Sequence, residues 1–320
     1  MAKSLRNLLR PASHAGSAYA EDPARLRRQL QGYFHAGNGP EAAGAEPAVA
    51  NRALRAIVSP HIDPYRGGPV YARAYQRLPR QCPADLFVIL GTAHHRMRQW
   101  FAVSRRDFAT PLGVVQTDRV FIDRLAGHLA SSAAGRLIDP LEDEAAHRLE
   151  HSIEFQTIFL QYVLGARRPL RIVPILVSSF YEFIADGCQP DAAPEITCFI
   201  AALKAAAAEH QGRVGYIGGV DLAHIGPDFG DPRRLDARRL AQLARDDQKL
   251  LERVCRADAK GMFRHVAAQG DANRICGLSP LYVLLEVLRP AVGEMLRYEQ
   301  AVDPDGLSCV SFASAAFYDG

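Results

Sequence analysis

Three stretches of this chain end in imidazoles after apolar runs, and their spacing brings metal chemistry into view. Arg55 to His61 (RAIVSPH) ends in His61, and Leu86 to His95 (LFVILGTAHH) ends in the pair His94 and His95. Arg213 to His224 (RVGYIGGVDLAH) delivers Asp221 and His224. Far downstream, Cys276 precedes Gly277 and the Ser279-Pro280 step that opens an apolar helix, a place where a thiol is biased towards thiolate. Imidazole with soft sulfur suits Fe(II), Cu or Zn, so His61, His94 and Cys276, with His224 nearby, form a candidate metal set. The residues alone leave a second reading open. Histidines at strand ends also serve as hydrogen-bonded scaffold, and a lone cysteine also serves as a small buried hydrophobe.

A different chemistry is written at His147, Glu150 and His151. They spell H-x-x-E-H, which on one helix puts two imidazoles at i and i+4, the arrangement of an inverted zinc metallopeptidase. The motif is short, arises easily by chance and has no evident third carboxylate ligand. The competing expectation is that Glu150 and His151 brace the main site from behind the ligands, with His147 outside it.

Residues of these kinds need rigid strands to hold them. Leu86 to Leu90 is apolar without alternation, the pattern of a strand covered on both faces in a parallel sheet under helices. Arg171 to Ser179 reads the same way. In open α/β sheets, ligands sit outside the C-terminal strand ends, where His61, His94 and His224 would all lie. Helices are expected over Pro23 to Tyr33, from Pro69 onward, after Thr117 or Asp118, over Glu142 to Leu164, Pro194 to His210, Arg234 to Ala257, Asp258 to Ala268 and Leu281 to Leu288. Two short strands flank the turn at Thr110 to Gly113, and two longer ones close the chain. Ala36 to Ala50, rich in Gly, Ala, Pro and Glu without periodicity, reads as a surface loop or short linker. The loop Pro11 to Tyr19 carries His14, which can approach the site or bond to backbone.

The 320 residues suggest about two domains by length alone. Site residues spread from His61 to Cys276 require one fold to gather them, so residues 1–320 are expected to form a single domain. With 48% hydrophobic and 23% charged residues, the chain belongs with globular proteins. The net charge of +3 is mild, and its arginines form no stripe interleaved with aromatics, which argues against nucleic acid as a partner. Six cysteines without a C-x-x-C pair fit a reducing compartment. No signal-peptide core and no apolar run of membrane-span length is present, so the expected location is cytoplasmic and away from membranes.

Taken together and in order, SHAGSAY, SPH before a Gly-containing turn, ILGTAHH, TPLG, EHSIE, VDLAHIG and ICGLSPLYVLL resemble the Memo family, the mediator-of-cell-motility proteins. Bacterial and archaeal members are named protein B of the AmmeMemoRadiSam system. The likeness runs from about His14 to Phe317 and implies a single three-layer α/β/α domain with a largely buried central sheet, similar to class III extradiol dioxygenases. It further implies metal ligands at His61, His94 and Cys276, with non-haem Fe(II) as the expected ion and Cu or Zn as alternatives. Asp221 and His224 fall on the family's D-x-x-H stretch, whose histidine moves a proton beside substrate in the dioxygenases. His95, Glu150, His151, Asp63 and His14 are expected around the ligands or in the pocket. Where the family continues Ala-Gly-Tyr after the first histidine, this chain has Ile62-Asp63-Pro64, which sets an extra carboxylate beside the metal.

The resemblance therefore points to a metal-dependent oxidoreductase of dioxygenase type acting on a small molecule. The alternative from the same family is a cleft that recognises phosphorylated peptides without chemistry. The system name also implies radical-SAM and AMMECR-type proteins as functional partners.

Overall fold

The computed structural model describes residues 9–37 and 52–320. Most of the expected loop at 36–50 thus lies outside the described residues. Its first two positions belong to helix α1 (Pro23–Gly37), which runs past the expected end at Tyr33.

The strands are β1 (Leu9–Arg10), β2 (Leu54–Ser59), β3 (Leu86–Thr92), β4 (Phe101–Val103), β5 (Asp107–Thr110), β6 (Gly113–Thr117), β7 (Arg171–Val177), β8 (Val214–Gly219), β9 (His224–Ile225), β10 (Ala291–Val302) and β11 (Cys309–Asp319). They join one sheet in the order β1-β5-β6-β7-β3-β8-β2-β11-β10, with β4 on β7 and β9 on β11. Its centre, β7-β3-β8-β2, is parallel, so those four strands end at the same edge. Every residue of β3 is buried. Successive side chains of a strand point to opposite faces, and here both faces are covered.

Val88 and Leu90 pack in one core with helices α4 (Arg119–Ala130), α6 (Tyr181–Ala185), α7 (Pro194–Ala208), α8 (Ala237–Cys255), α9 (Ala259–Ala267) and α10 (Leu278–Leu288). Phe87 and Ile89 pack in the other with α1, α2 (Pro64–Tyr75), α3 (Leu78–Gln81) and α5 (His151–Leu164). The expected three-layer α/β/α architecture is what the chain adopts. Among the described residues no helix is long and apolar enough to cross a membrane.

Two expected elements are shorter. The helix foreseen from Glu142 starts only at His151, because the Glu150 carboxylate turns back to accept from the Ser152 N–H at 3.0 Å and holds Glu150 in an extended conformation as N-cap. Glu144 to Arg148 form a 3-10 turn instead. The strand foreseen to His224 ends at Gly219. Beyond it the chain crosses to β11, with Leu222 N donating to Ser311 O and His224 paired with Val310.

One buried acid is costly. Asp247 in α8 is 1% exposed, and burial pushes its carboxyl up to about 6, although hydrogen bonds from Ser311 and Tyr298 oppose the shift. The fold therefore holds the proton more tightly than the unfolded chain. That contribution is present at low pH and is lost as pH rises through about 6. Asp247→Asn stays neutral and can still accept from Tyr298. It should gain about 2 to 3 kcal/mol over the parent at pH 8 and almost nothing at pH 4. Urea unfolding at the two pH values checks this, and a gap independent of pH would refute it.

Candidate metal centre

The site forms at the parallel edge of the sheet. His61 follows β2 and is 2% exposed. Its Nδ1 lies 2.9 Å from the carbonyl oxygen of Gly219, and a carbonyl only accepts, so the proton sits on Nδ1 and Nε2 keeps a lone pair. His94 follows β3. Its Nδ1 donates to Glu150 Oε1 at 3.0 Å, and its backbone N–H donates to Glu150 Oε2 at 2.9 Å, which again frees Nε2. His151 opens α5, and its Nδ1 is 3.3 Å from the same Glu150 oxygen. A carboxylate or carbonyl behind an imidazole fixes tautomer and ring orientation in metal sites.

The three rings converge. Their centroids are 4.9 Å apart for His61 and His94, 5.3 Å for His61 and His151 and 4.6 Å for His94 and His151. One nitrogen from each lies within 4.8 Å of the other two. Metal–nitrogen bonds of about 2.0–2.1 Å demand such ring separations around a shared ion. Depth is graded: His61 is buried, whereas His94 and His151 are about one-third exposed, so the cluster opens to solvent on one side.

Cys276, just before α10, places Sγ 3.3 Å from His61 Nε2, on the nitrogen that the protein leaves free. Two ligands of one ion with bonds of about 2.1 and 2.3 Å stand about 3 to 3.6 Å apart. Asp221 lies in the segment after β8. Its Oδ1 accepts from His61 N at 2.8 Å, and its Oδ2 is 3.6 Å from His61 Nε2. His224 Nδ1 is 3.2 Å from Leu222 O, and its ring meets Phe229 edge-on.

Protonation suits a cation. Burial, helped by the neighbouring histidines, pushes His61 and His151 each down to about 3, so both rings are neutral donors at pH 7. Burial works against the charged form of Glu150, yet the His94 hydrogen bond and the charges of His94 and His151 hold its carboxyl far below the usual range. Burial, with Asp221 adding to it, keeps the Cys276 thiol protonated until a cation takes the proton's place. Desolvation lowers His94, but the Glu150 hydrogen bond and charge overcome it and raise that imidazole, so an ion there displaces a proton. Two neutral imidazoles, His94, a thiol and buried carboxylates fit a soft or borderline divalent ion.

A profile of the family described as Memo-like protein matches residues 10–316. The chain belongs to the Memo family. It is 29% identical over 320 residues to a MEMO1 family protein of Sulfolobus acidocaldarius, covering 98% of this chain and all of that one. A MEMO1 family protein of Aquifex aeolicus is 27% identical over 319 residues, 99% of this chain and 75% of its own length. One of Thermus thermophilus is 27% identical over 304 residues, 94% of this chain and 80% of its own.

Against this Memo-family background, the expected site residues separate. His61, His94, Cys276, Asp221, His151 and Glu150 come together. His224 lies close enough for its charge to be felt by Asp221 and His94. His14 reaches the outer side of His151, ring to ring at 5.7 Å. His95 is exposed and takes no part in the cluster's hydrogen bonds or ring contacts.

Asp63 is a correction. It does not stand beside the imidazoles but caps α2, accepting from Arg66 N at 3.2 Å and pairing with Arg66 Nε at 2.5 Å. The helix start at Pro64 claims that carboxylate. The H-x-x-E-H zinc site also fails geometrically. His147 sits in the 3-10 turn, fully buried, with Nε2 2.9 Å from Ala102 O, and shares no helix with His151.

Sequence reasoning passed over Arg10, Tyr19 and Glu154, which meet behind His14. The available signal was Glu154 itself, a carboxylate in the first turn of the apolar helix α5.

Proposed function

We propose that this Memo-family protein is a metal-dependent oxidoreductase of non-haem type, using iron(II), with copper as the alternative its thiol favours, to oxidise a small organic molecule. The observation carrying this reading is the convergence of one nitrogen each from His61, His94 and His151 within 4.8 Å of one another, with Cys276 Sγ 3.3 Å from His61 Nε2. In this reading His61 and His94 supply Nε2 and Cys276 supplies Sγ as third ligand, with His151 supporting them. Three protein ligands leave coordination positions free, as a facial triad does. A redox-active ion held there supplies Lewis acidity and the electrons that dioxygen chemistry requires.

The remaining work falls to side chains. Glu150 locks the His94 ring, and Asp221 secures the backbone of His61. His224, which burial holds largely neutral, has an acceptor nitrogen for a substrate proton. A cytoplasmic setting and radical-SAM and AMMECR-type partners belong to the same reading.

The test is protein purified without oxygen. Elemental analysis should find about one equivalent of iron or copper, and an oxygen electrode should register uptake with one member of a panel of phenols, diols and hydroxy acids. His224→Ala should keep the metal and lose the uptake, about 100-fold or more for a lost acid–base group. Stoichiometric metal with no uptake, together with tight phosphopeptide binding, would replace this reading with that of a recognition module.

A further inference from the structure

The N-terminal loop ends in a construction that the metal centre itself does not require. Glu154 is 0% exposed and takes five donors on one carboxylate. Arg10 and Tyr19 Oη each bind it closely, Ser13 Oγ donates at 2.8 Å, and His14 gives both its backbone N–H at 3.0 Å and its ring Nδ1 at 3.1 Å. Arg10, 1% exposed, also ties down the carbonyls of His147 and Glu150. Burying an arginine and a glutamate is expensive unless every lone pair and N–H is matched, and here they are matched around one imidazole. Burial opposes ionisation of Glu154, but His14 and Arg10 overcome it and hold the carboxyl at about 2. Only an ionised carboxylate accepts from all five.

Two consequences follow for His14. Its Nδ1, 3.1 Å from both Glu154 Oε2 and Ser13 Oγ, carries the proton, because Glu154 has none to give and the single Ser13 hydroxyl proton goes to Glu154. Its Nε2 is therefore an acceptor, and it makes no hydrogen bond among the described residues. The start of helix α5 repeats one device four residues apart: its N-cap Glu150 fixes His94, and Glu154 in its first turn fixes His14, with His151 between them in the chain. The His14 ring meets His151 at 5.7 Å and Phe155 at 5.6 Å, and its side chain is 27% exposed. It stands beside His151 and is partly open to solvent.

We propose that His14, oriented by Glu154, is a substrate-binding residue that accepts a hydrogen bond from a hydroxyl on a metal-chelating ligand, which makes the preferred ligands hydroxylated O,O-chelators. This rests on the metal reading above. The experiment separates the two with probes of one chelating group: benzohydroxamate, meta-hydroxybenzohydroxamate and para-hydroxybenzohydroxamate, titrated calorimetrically into full-length zinc-loaded protein.

Parent protein should bind at least one hydroxylated probe about tenfold more tightly than benzohydroxamate, the usual worth of one well-placed hydrogen bond. His14→Phe keeps the ring packing and should abolish that advantage without changing benzohydroxamate affinity or zinc content. His14→Gln restores an acceptor near the Nε2 position and should recover most of the advantage. Equal hydroxyl preference in parent and His14→Phe, or none in the parent, overturns the proposal while leaving the metal centre standing. Failure of the parent to hold zinc or to bind benzohydroxamate overturns the metal reading and this inference with it.

Discussion

Alanine at His61, His94 or Cys276 is expected to strip the protein of stoichiometric metal while its far-ultraviolet circular dichroism stays unchanged. A three-ligand open site that loses one donor keeps too few bonds to hold an ion against water, whereas losing a supporting group typically costs about 10- to 100-fold in affinity. The fold does not depend on these side chains, because it rests on the two cores on either side of β3. His151→Ala is the discriminating variant. Its nitrogen belongs to the triangle with His61 and His94, while Cys276 Sγ lies 3.3 Å from His61 Nε2. With Cys276 as third ligand, His151→Ala retains metal with affinity lowered by about 10- to 100-fold, the range of a supporting group. Full metal in folded Cys276→Ala, with none in His151→Ala, would hand the third position to His151. Elemental analysis of the four variants decides it.

Gly219→Ala should be among the most damaging small substitutions near the site. A Cβ there would stand 2.5 Å from the Ser152 carbonyl oxygen and 2.8 Å from Gln156 Nε2. Gly91 is cramped in the same way, at 2.5 Å from Ser152 Oγ. These two glycines let the first turn of α5 rest directly on β3 and β8, where Ser152 Oγ donates to Thr92 O at 2.9 Å and Gln156 Nε2 to Pro60 O at 2.7 Å. An added methyl group against backbone must displace the helix start, at a cost of about 1–3 kcal/mol. Glu150 and His151 sit on that turn. The variant should therefore lose metal affinity as well as stability, by about 10- to 100-fold if the ligands themselves remain. Chemical denaturation and metal titration read the two effects separately. Unchanged metal affinity in a destabilised Gly219→Ala protein would show that α5 can shift without moving the imidazoles.

Much of the architecture was legible from local pattern. The unbroken apolar run in β3 already implied a strand buried on both faces, and two-sided burial implies helices above and below. His61 and His94 were legible for a related reason, since each directly follows such a strand and parallel strands share one end. Glu150 was legible as a support because it neighbours His151, although the helix beginning only at His151 was not, since the cap depends on where one carboxylate turns. Asp63 was misplaced because chain proximity to His61 says nothing about which N–H groups will claim a carboxylate, and the first turn of α2 did so.

Sequence by itself determined the family, the layer order and the edge of the sheet at which the candidate ligands gather, because these follow from hydrophobic periodicity and from motifs read in order. Tertiary structure alone decided that His151 stands within 4.8 Å of His61 and His94, that Cys276 meets His61 across 215 residues of chain, and that Glu154 secures His14. Those contacts depend on helix α5 seating on glycines of two strands and on a buried arginine from the N-terminal segment, and such long-range packing leaves no periodic trace in the chain.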